Sequence, residues 1–167
     1  NPALFVALQT ALGANTIAPL IRNSQFTVPL LKALLDAAKA QGVVVGVNFD
    51  ALHNGANPPV YNGRARAQEP AIVALLNSYD NIFLELEVET GWPQTEAEWV
   101  ADVNGLGAAL RTAGHVHPIK VGSPFGGRYM RHAANAGAQV VAADPLHKVL
   151  FTFQAYVRAP NSGGWDY

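Results

Sequence analysis

The hydrophobic pattern switches repeatedly between a period near 3.6 residues and a period of two, and each switch predicts an element. Residues 3 to 12 read as a helix that Gly13 stops, and NTIAPLI (15 to 21) as a short buried strand. In VPLLKALLDAAKAQG the apolar positions Leu30, Leu31, Leu34, Leu35 and Ala38 recur at helical spacing. Thr27 is placed to cap the first turn, Pro29 comes early, and Gly42 ends the run. The strand VVVGVNF (43 to 49) follows directly, then a long polar loop, a helix around EPAIVALLNS and the strand NIFLELEV. Thr95, with Glu98 three residues on, predicts a capping box that opens a helix through Trp99, Val103, Leu106 and Leu110. After it, HPIKVGS predicts a strand, GGRYMRHAANAG a helix, QVVAAD a short strand, and KVLFTFQAYV the last strand before a Gly/Ser/Pro tail.

Strand followed by helix, several times over, requires parallel strands joined by right-handed crossovers. An open doubly wound sheet and a (β/α) barrel both satisfy that order. The open sheet is usually marked by a glycine-rich phosphate loop after its first strand. Neither that loop nor a Walker loop occurs, and GLG at 105 to 107 falls inside a helical pattern. The longest loops, after Phe49, Val88 and Ser123, all follow strand C-terminal ends, where a barrel builds its site. The expected fold is therefore α/β, a (β/α) barrel that is incomplete, with about five or six strands. A single domain over 1–167 is expected, with 158–167 as a flexible tail.

One strand carries unusual chemistry. In FLELEVETGW, alternation places Glu85, Glu87 and Glu89 on one face and Leu84, Leu86 and Val88 on the other. Like charges in a row raise at least one pKa when water is excluded, and a protonated carboxyl beside an ionised one is what acid/base chemistry uses. A solvated acidic edge that discourages aggregation fits the same pattern.

Composition narrows the partners. Half of the 167 residues are hydrophobic, 14% are charged and the net charge is -1, so no basic footprint for nucleic acid exists, and a neutral or small partner is expected. The absence of cysteine removes disulfides, thiolate metal sites and cysteine nucleophiles. Apolar runs such as GVVVGV fall far short of the roughly 20 residues a membrane helix needs, so no membrane span is expected. The opening NPALFVALQTALGANT has no initiator Met, cationic n-region or cleavage motif, and reads as a mature or excised chain. His115 and His117 could share a strand face, but no carboxylate lies at ligand spacing; they read as solvated loop residues, and no metal or cofactor is expected. Ser123 lies outside any G-x-S-x-G elbow and has no assignable base.

The chain resembles glycoside hydrolase family 5, the cellulases and β-mannanases among retaining glycosidases. GANTIAPLI is similar to the family's second strand, VVVGVNFDA to the third, FLELEVETGW to the fourth, HPIKVGS to the fifth, and VVAADPLHKVLFTFQAY to the sixth and its lead-in. The resemblance implies a (β/α)8 fold, a polysaccharide or oligosaccharide substrate, secretion, and two glutamates on strands four and seven. Glu89 matches the acid/base, Glu85 a glutamate two pleats below it, and Glu87 nothing familiar. Tyr156 matches the aromatic after the sixth strand, and Phe125 lies near a substrate-platform aromatic after the fifth. Trp92 and Tyr61 are further aromatics at strand ends or in loops, able to stack on sugar rings or simply to cap the core.

Departures from the family pattern are equally specific. Ala18 replaces an arginine, Phe49 a histidine, Val88 the asparagine before the acid/base, and Gln154 a histidine on the substrate side of the sixth strand. These changes leave the carboxylates without their usual partners, and no nucleophile can be assigned within 1–167. If active, the protein would be an O-glycosyl hydrolase. A non-catalytic glycan-binding scaffold, or a partial barrel that self-associates into a homo-oligomer, is the alternative.

Overall fold

The computed structural model describes residues 1–19, 27–48, 67–85, 95–122 and 130–152. Helices and strands alternate: α1 (Pro2–Ala11), β1 (Thr16–Ile17), α2 (Val28–Ala40), β2 (Val44–Asn48), α3 (Pro70–Asn77), β3 (Ile82–Glu85), α4 (Glu96–Ala113), β4 (Ile119–Gly122), α5 (Met130–Ala143) and β5 (Val149–Thr152). All four pairings are parallel, and the spatial order β1-β2-β3-β4-β5 is the sequence order. A doubly wound sheet needs a point where strand order reverses. None occurs among the described strands, so the chain winds in one direction, as a barrel does.

The helices lie on one face of this sheet. Ile17 of β1 and Val45, Val47, Ile82, Leu84, Ile119 and Val121, alternate positions along β2, β3 and β4, join Leu35, Ile72, Leu76, Trp99 and Leu110 from the helices in one buried cluster. The opposite strand positions, Gly46, Asn48, Phe83, Glu85 and Lys120, stay out of it. Alternation thus divides the sheet into an outer wall that holds the fold and an inner wall free for chemistry.

Local signals act where the sequence places them. Thr27 Oγ1 accepts from the Leu30 amide at 3.2 Å, and α2 ends where Gly42 takes φ +66. At α4 the Thr95 amide donates to Glu98 Oε2 (2.8 Å) while the Glu98 amide donates to Thr95 Oγ1 (3.3 Å), the reciprocal capping box. GLG does lie within α4, and a methyl group at the exposed Gly105 would meet no atom within 4 Å. Gly105→Ala should therefore raise the unfolding free energy by about 0.5–1 kcal/mol in urea titrations.

One predicted strand is a helix. Residues 139–143 of QVVAAD complete α5, and the segment buries His132, Ala136 and Val140 at four-residue spacing. Val140 and Val141 favour a strand locally, but that buried stripe against the sheet overrides the preference. The tail 158–167 lies outside the described residues.

His115 and His117 are buried, not solvated. They sit at the N-terminal end of the sheet, where His115 Nε2 donates to the Ala67 carbonyl and His117 Nε2 to that of Leu76 at 3.0 Å. Arg111 closes the same region: it donates to both Asp144 oxygens (2.7 and 3.0 Å) and to the carbonyls of His115 and His117 (2.9 Å each). Asp144 also accepts from the Lys148 amide at 2.8 Å, which ties the lead-in of β5 to those of β4.

Burial holds both imidazoles below the ordinary histidine pKa of 6.5, with the Arg111 cation adding to the effect and the carbonyl bonds opposing it. Their folded pKa is depressed, so the unfolded chain binds more protons below pH 6.5. Stability should be complete above that pH and fall as the pH drops through it, by up to about 1.4 kcal/mol per unit for each histidine. Urea midpoints at pH 7.5 and 5.5 check this; His115→Asn should reduce the slope.

Candidate functional site

The inner wall is built in rows by the parallel register. Asn48 of β2 pairs with Glu85 of β3, Glu85 with Lys120 of β4, and Lys120 with Leu150 of β5. The row beneath pairs Gly46 with Phe83. A Cβ on Gly46 would stand 2.6 Å from the Phe83 ring and 3.2 Å from the Ala18 Cβ, so the glycine leaves room for the ring to lie across β2. Ala18, where the resemblance calls for an arginine, therefore borders an aromatic layer instead of a charged one.

Glu85 is 2% exposed, and Lys120, at 22%, bonds its Oε1. Lys120 Nζ also lies 5.9 Å from the Phe83 ring centroid, within cation–π range. Glu85 Oε2 is buried with no hydrogen-bond partner among the described residues. A buried carboxylate requires a cation or donors, and the neighbouring strand supplies the cation. The sequence reading left these glutamates without partners; Lys120 corrects it for Glu85. Its signal was a single lysine inside the otherwise apolar strand HPIKVGS, since lysine is almost never placed on a buried strand unless paired.

Trp99 belongs to the core as its helical position predicts, and its Nε1 donates to the Gly122 carbonyl at 3.1 Å, fixing α4 against the C-terminal end of β4. Its ring also meets those of His132 and Phe151, at 6.1 and 6.2 Å between centroids.

Of the candidate catalytic and sugar-binding residues, Glu85 alone lies among the described residues. Glu87, Glu89, Trp92, Phe125, Gln154, Tyr156 and Tyr61 lie outside the described residues, as do Phe49, Val88 and Ser123. In sequence, Glu87 and Glu89 come two and four residues after the last residue of β3. Phe125 comes three after that of β4, and Gln154 and Tyr156 two and four after that of β5. Among the described residues no three His, Asp or Glu side chains converge as metal ligands, and no helix is long and apolar enough to cross a membrane.

No protein-family model matches this sequence, and no curated protein does. Solved structures do match. The chain superposes on the mannotriose complex of the Thermomonospora fusca β-mannanase with a TM-score of 0.77 at 19% identity, covering 93% of this chain and 56% of that one. The fold is that of glycoside hydrolase family 5. The catalytic domain of a mannanase from Streptomyces sp. SirexAA-E gives 0.73 at 19% identity over 92% of this chain and 51% of that one. A GH5 cellulase from an Icelandic hot spring isolate gives 0.61 at 22%, covering 90% and 48%. The chain thus spans about half the length of the family 5 structures it matches. With five described strands, parallel and wound in sequence order, it has the architecture of a partial family 5 barrel.

Proposed function

We propose that the chain is a carbohydrate-active scaffold of the retaining glycosidase type, directed at β-mannan or cellulose, and that Glu89 is its proton donor. The observation that carries this reading is the inward placement of Glu85 at the end of β3. Glu87 and Glu89 follow Glu85 at two-residue spacing in the sequence, and the last of the three is taken as the carboxyl that a substrate at the C-terminal rim would meet. Glu85, held by Lys120, then serves as a support beneath the site. Trp92, Phe125 and Tyr156 supply sugar-stacking faces, and Gln154 a polar contact.

Retaining hydrolysis needs a second carboxyl about 5–5.5 Å from the first. Every described carboxylate other than Glu85 lies on a helix or in a turn beside one, and Ala18, Phe49, Val88 and Gln154 replace groups that the family uses to orient substrate and carboxylates. These 167 residues alone are accordingly proposed to bind glycan with impaired or lost turnover.

Affinity electrophoresis in gels containing β-mannan or carboxymethyl cellulose, beside reducing-end assays on the wild type and Glu89→Gln, tests both parts. Retardation without reducing-end release is the expected result. Release that vanishes in Glu89→Gln would overturn the loss of turnover while supporting Glu89 as donor; no retardation and no release with either polysaccharide would overturn the glycan assignment.

A further inference from the structure

We propose that His115 and His117 act as an acid-sensitive clasp on α3, so that mild acid opens this helix locally while the sheet beside it stays folded. The clasp is the turn between α4 and β4. His115 Nε2 donates to the carbonyl of Ala67, just before α3, and His117 Nε2 to that of Leu76 in its last turn, while Asn77 Nδ2 donates back to the Gly114 carbonyl at 2.9 Å. One short turn thereby grips α3 at both ends.

α3 depends on that grip because little else in its sequence holds it as a helix. It spans eight residues, Pro70–Asn77, and a helix that short is marginal without tertiary support. Thr27 and Thr95 cap α2 and α4 with their side chains, whereas Glu69 at the start of α3 makes no such bond. Neither an acidic residue in its first turn nor a basic one in its last complements the helix dipole. Its tertiary hold is the burial of Ile72, Val73 and Leu76 together with the bonds to the turn.

Protonation acts on the clasp from within. Each imidazole already donates through Nε2, so an added proton goes to Nδ1, and in His115 that atom is buried with no hydrogen-bond partner among the described residues. The charges facing the pair are cations, Arg111 of α4 beside both and Lys148 of the β5 lead-in beside His117. The Asp144 carboxylate at the end of α5 is taken up by Arg111 and by the Leu146 and Lys148 amides, and Pro70 to Asn77 include no charged side chain. A positive charge on either ring is relieved by parting the turn from α3, which hydrates the imidazole. Both rings bind protons less readily clasped than free, so acid favours the open form. α3 carries the chain from the C-terminal end of β2, the rim assigned to substrate, back to β3, so acid slackens that connection at its anchored end.

NMR-detected hydrogen exchange on the whole chain at pH 7.5 and 5.5, corrected for intrinsic rates, tests the clasp. Amides of Val73 to Asn77 should open far more often than those of β2, β3 and β4 at both pH values, with little dependence on dilute urea. Their opening constant should rise at pH 5.5 by about 10-fold for one histidine and up to about 100-fold for both. His115→Gln and His117→Gln keep an amide donor for the carbonyl but cannot titrate, so each should remove part of that rise, with circular dichroism showing that each folds. If α3 and the strands share one opening constant, the event is global unfolding and the proposal is overturned. Opening of α3 that ignores pH in the wild type, which needs no variant, or a rise left intact in both variants would overturn it as well.

Discussion

Lys120→Met should destabilise the protein by about 3–5 kcal/mol, the loss expected when a buried carboxylate is left without its cation. Glu85 is 2% exposed, its Oε1 accepts from Lys120, and its Oε2 has no hydrogen-bond partner among the described residues, so removing the ammonium leaves a buried charge without its cation. The double variant Lys120→Met/Glu85→Leu should recover most of the loss, since an apolar pair of similar volume avoids the desolvation of both charges. Lys120→Arg should cost less than Lys120→Met because the charge is kept. Urea unfolding of the full cycle measures the coupling between the two residues. A loss below about 1 kcal/mol in Lys120→Met would class the pair with solvent-exposed ion pairs and contradict the burial of Glu85.

Arg111→Met should have an effect of the same size, about 3–5 kcal/mol, by stranding Asp144 and two backbone carbonyls at the other end of the sheet. The Arg111–Asp144 pair is bidentate, and both side chains are under 10% exposed. It also reads out in pH. The Arg111 bonds, with the Lys148 and Leu146 amides, hold the Asp144 carboxyl down to about 2 from the ordinary 3.8, against the opposing effect of burial. A depressed carboxylate stabilises the fold above the unfolded pKa, and that contribution is lost as the pH falls from about 4 to about 2. It is worth on the order of 2 kcal/mol. In Arg111→Met this acid limb should flatten, while the histidine limb below pH 6.5 persists through burial. Thermal melts from pH 7 to pH 2 separate the two; an unchanged limb between pH 4 and pH 2 would show that another carboxylate carries it.

Much of the fold is legible in local pattern because the forces behind it are local. Thr27 and Thr95 cap helices with donors three residues away, and Gly42 ends α2 through its own φ. The two-residue alternation in IFLE decides which face Glu85 takes before any partner is known. The same local logic fails at residues 139–143, where two valines read as a strand but the packed face of α5 needs a helix. It fails at His115 and His117, whose polar sequence context suggests solvent although Ala67 and Leu76, 48 and 41 residues away, provide buried acceptors.

The candidate site divides along the same line. Sequence alone read alternating elements, parallel strands, the family 5 resemblance and the inward face of Glu85; the same face expected for Glu87 and Glu89 falls outside the described residues. Tertiary structure decided that Glu85 is a paired support, by bringing Lys120 to it across 35 residues, and that the helices cover one face of a sheet wound in strand order. It also decided that Arg111 meets Asp144 across 33 residues. The physical reason is range. Capping and periodicity act within a turn or a pleat, whereas the partner of a buried charge depends on strand register, which exists only once distant segments have been placed side by side.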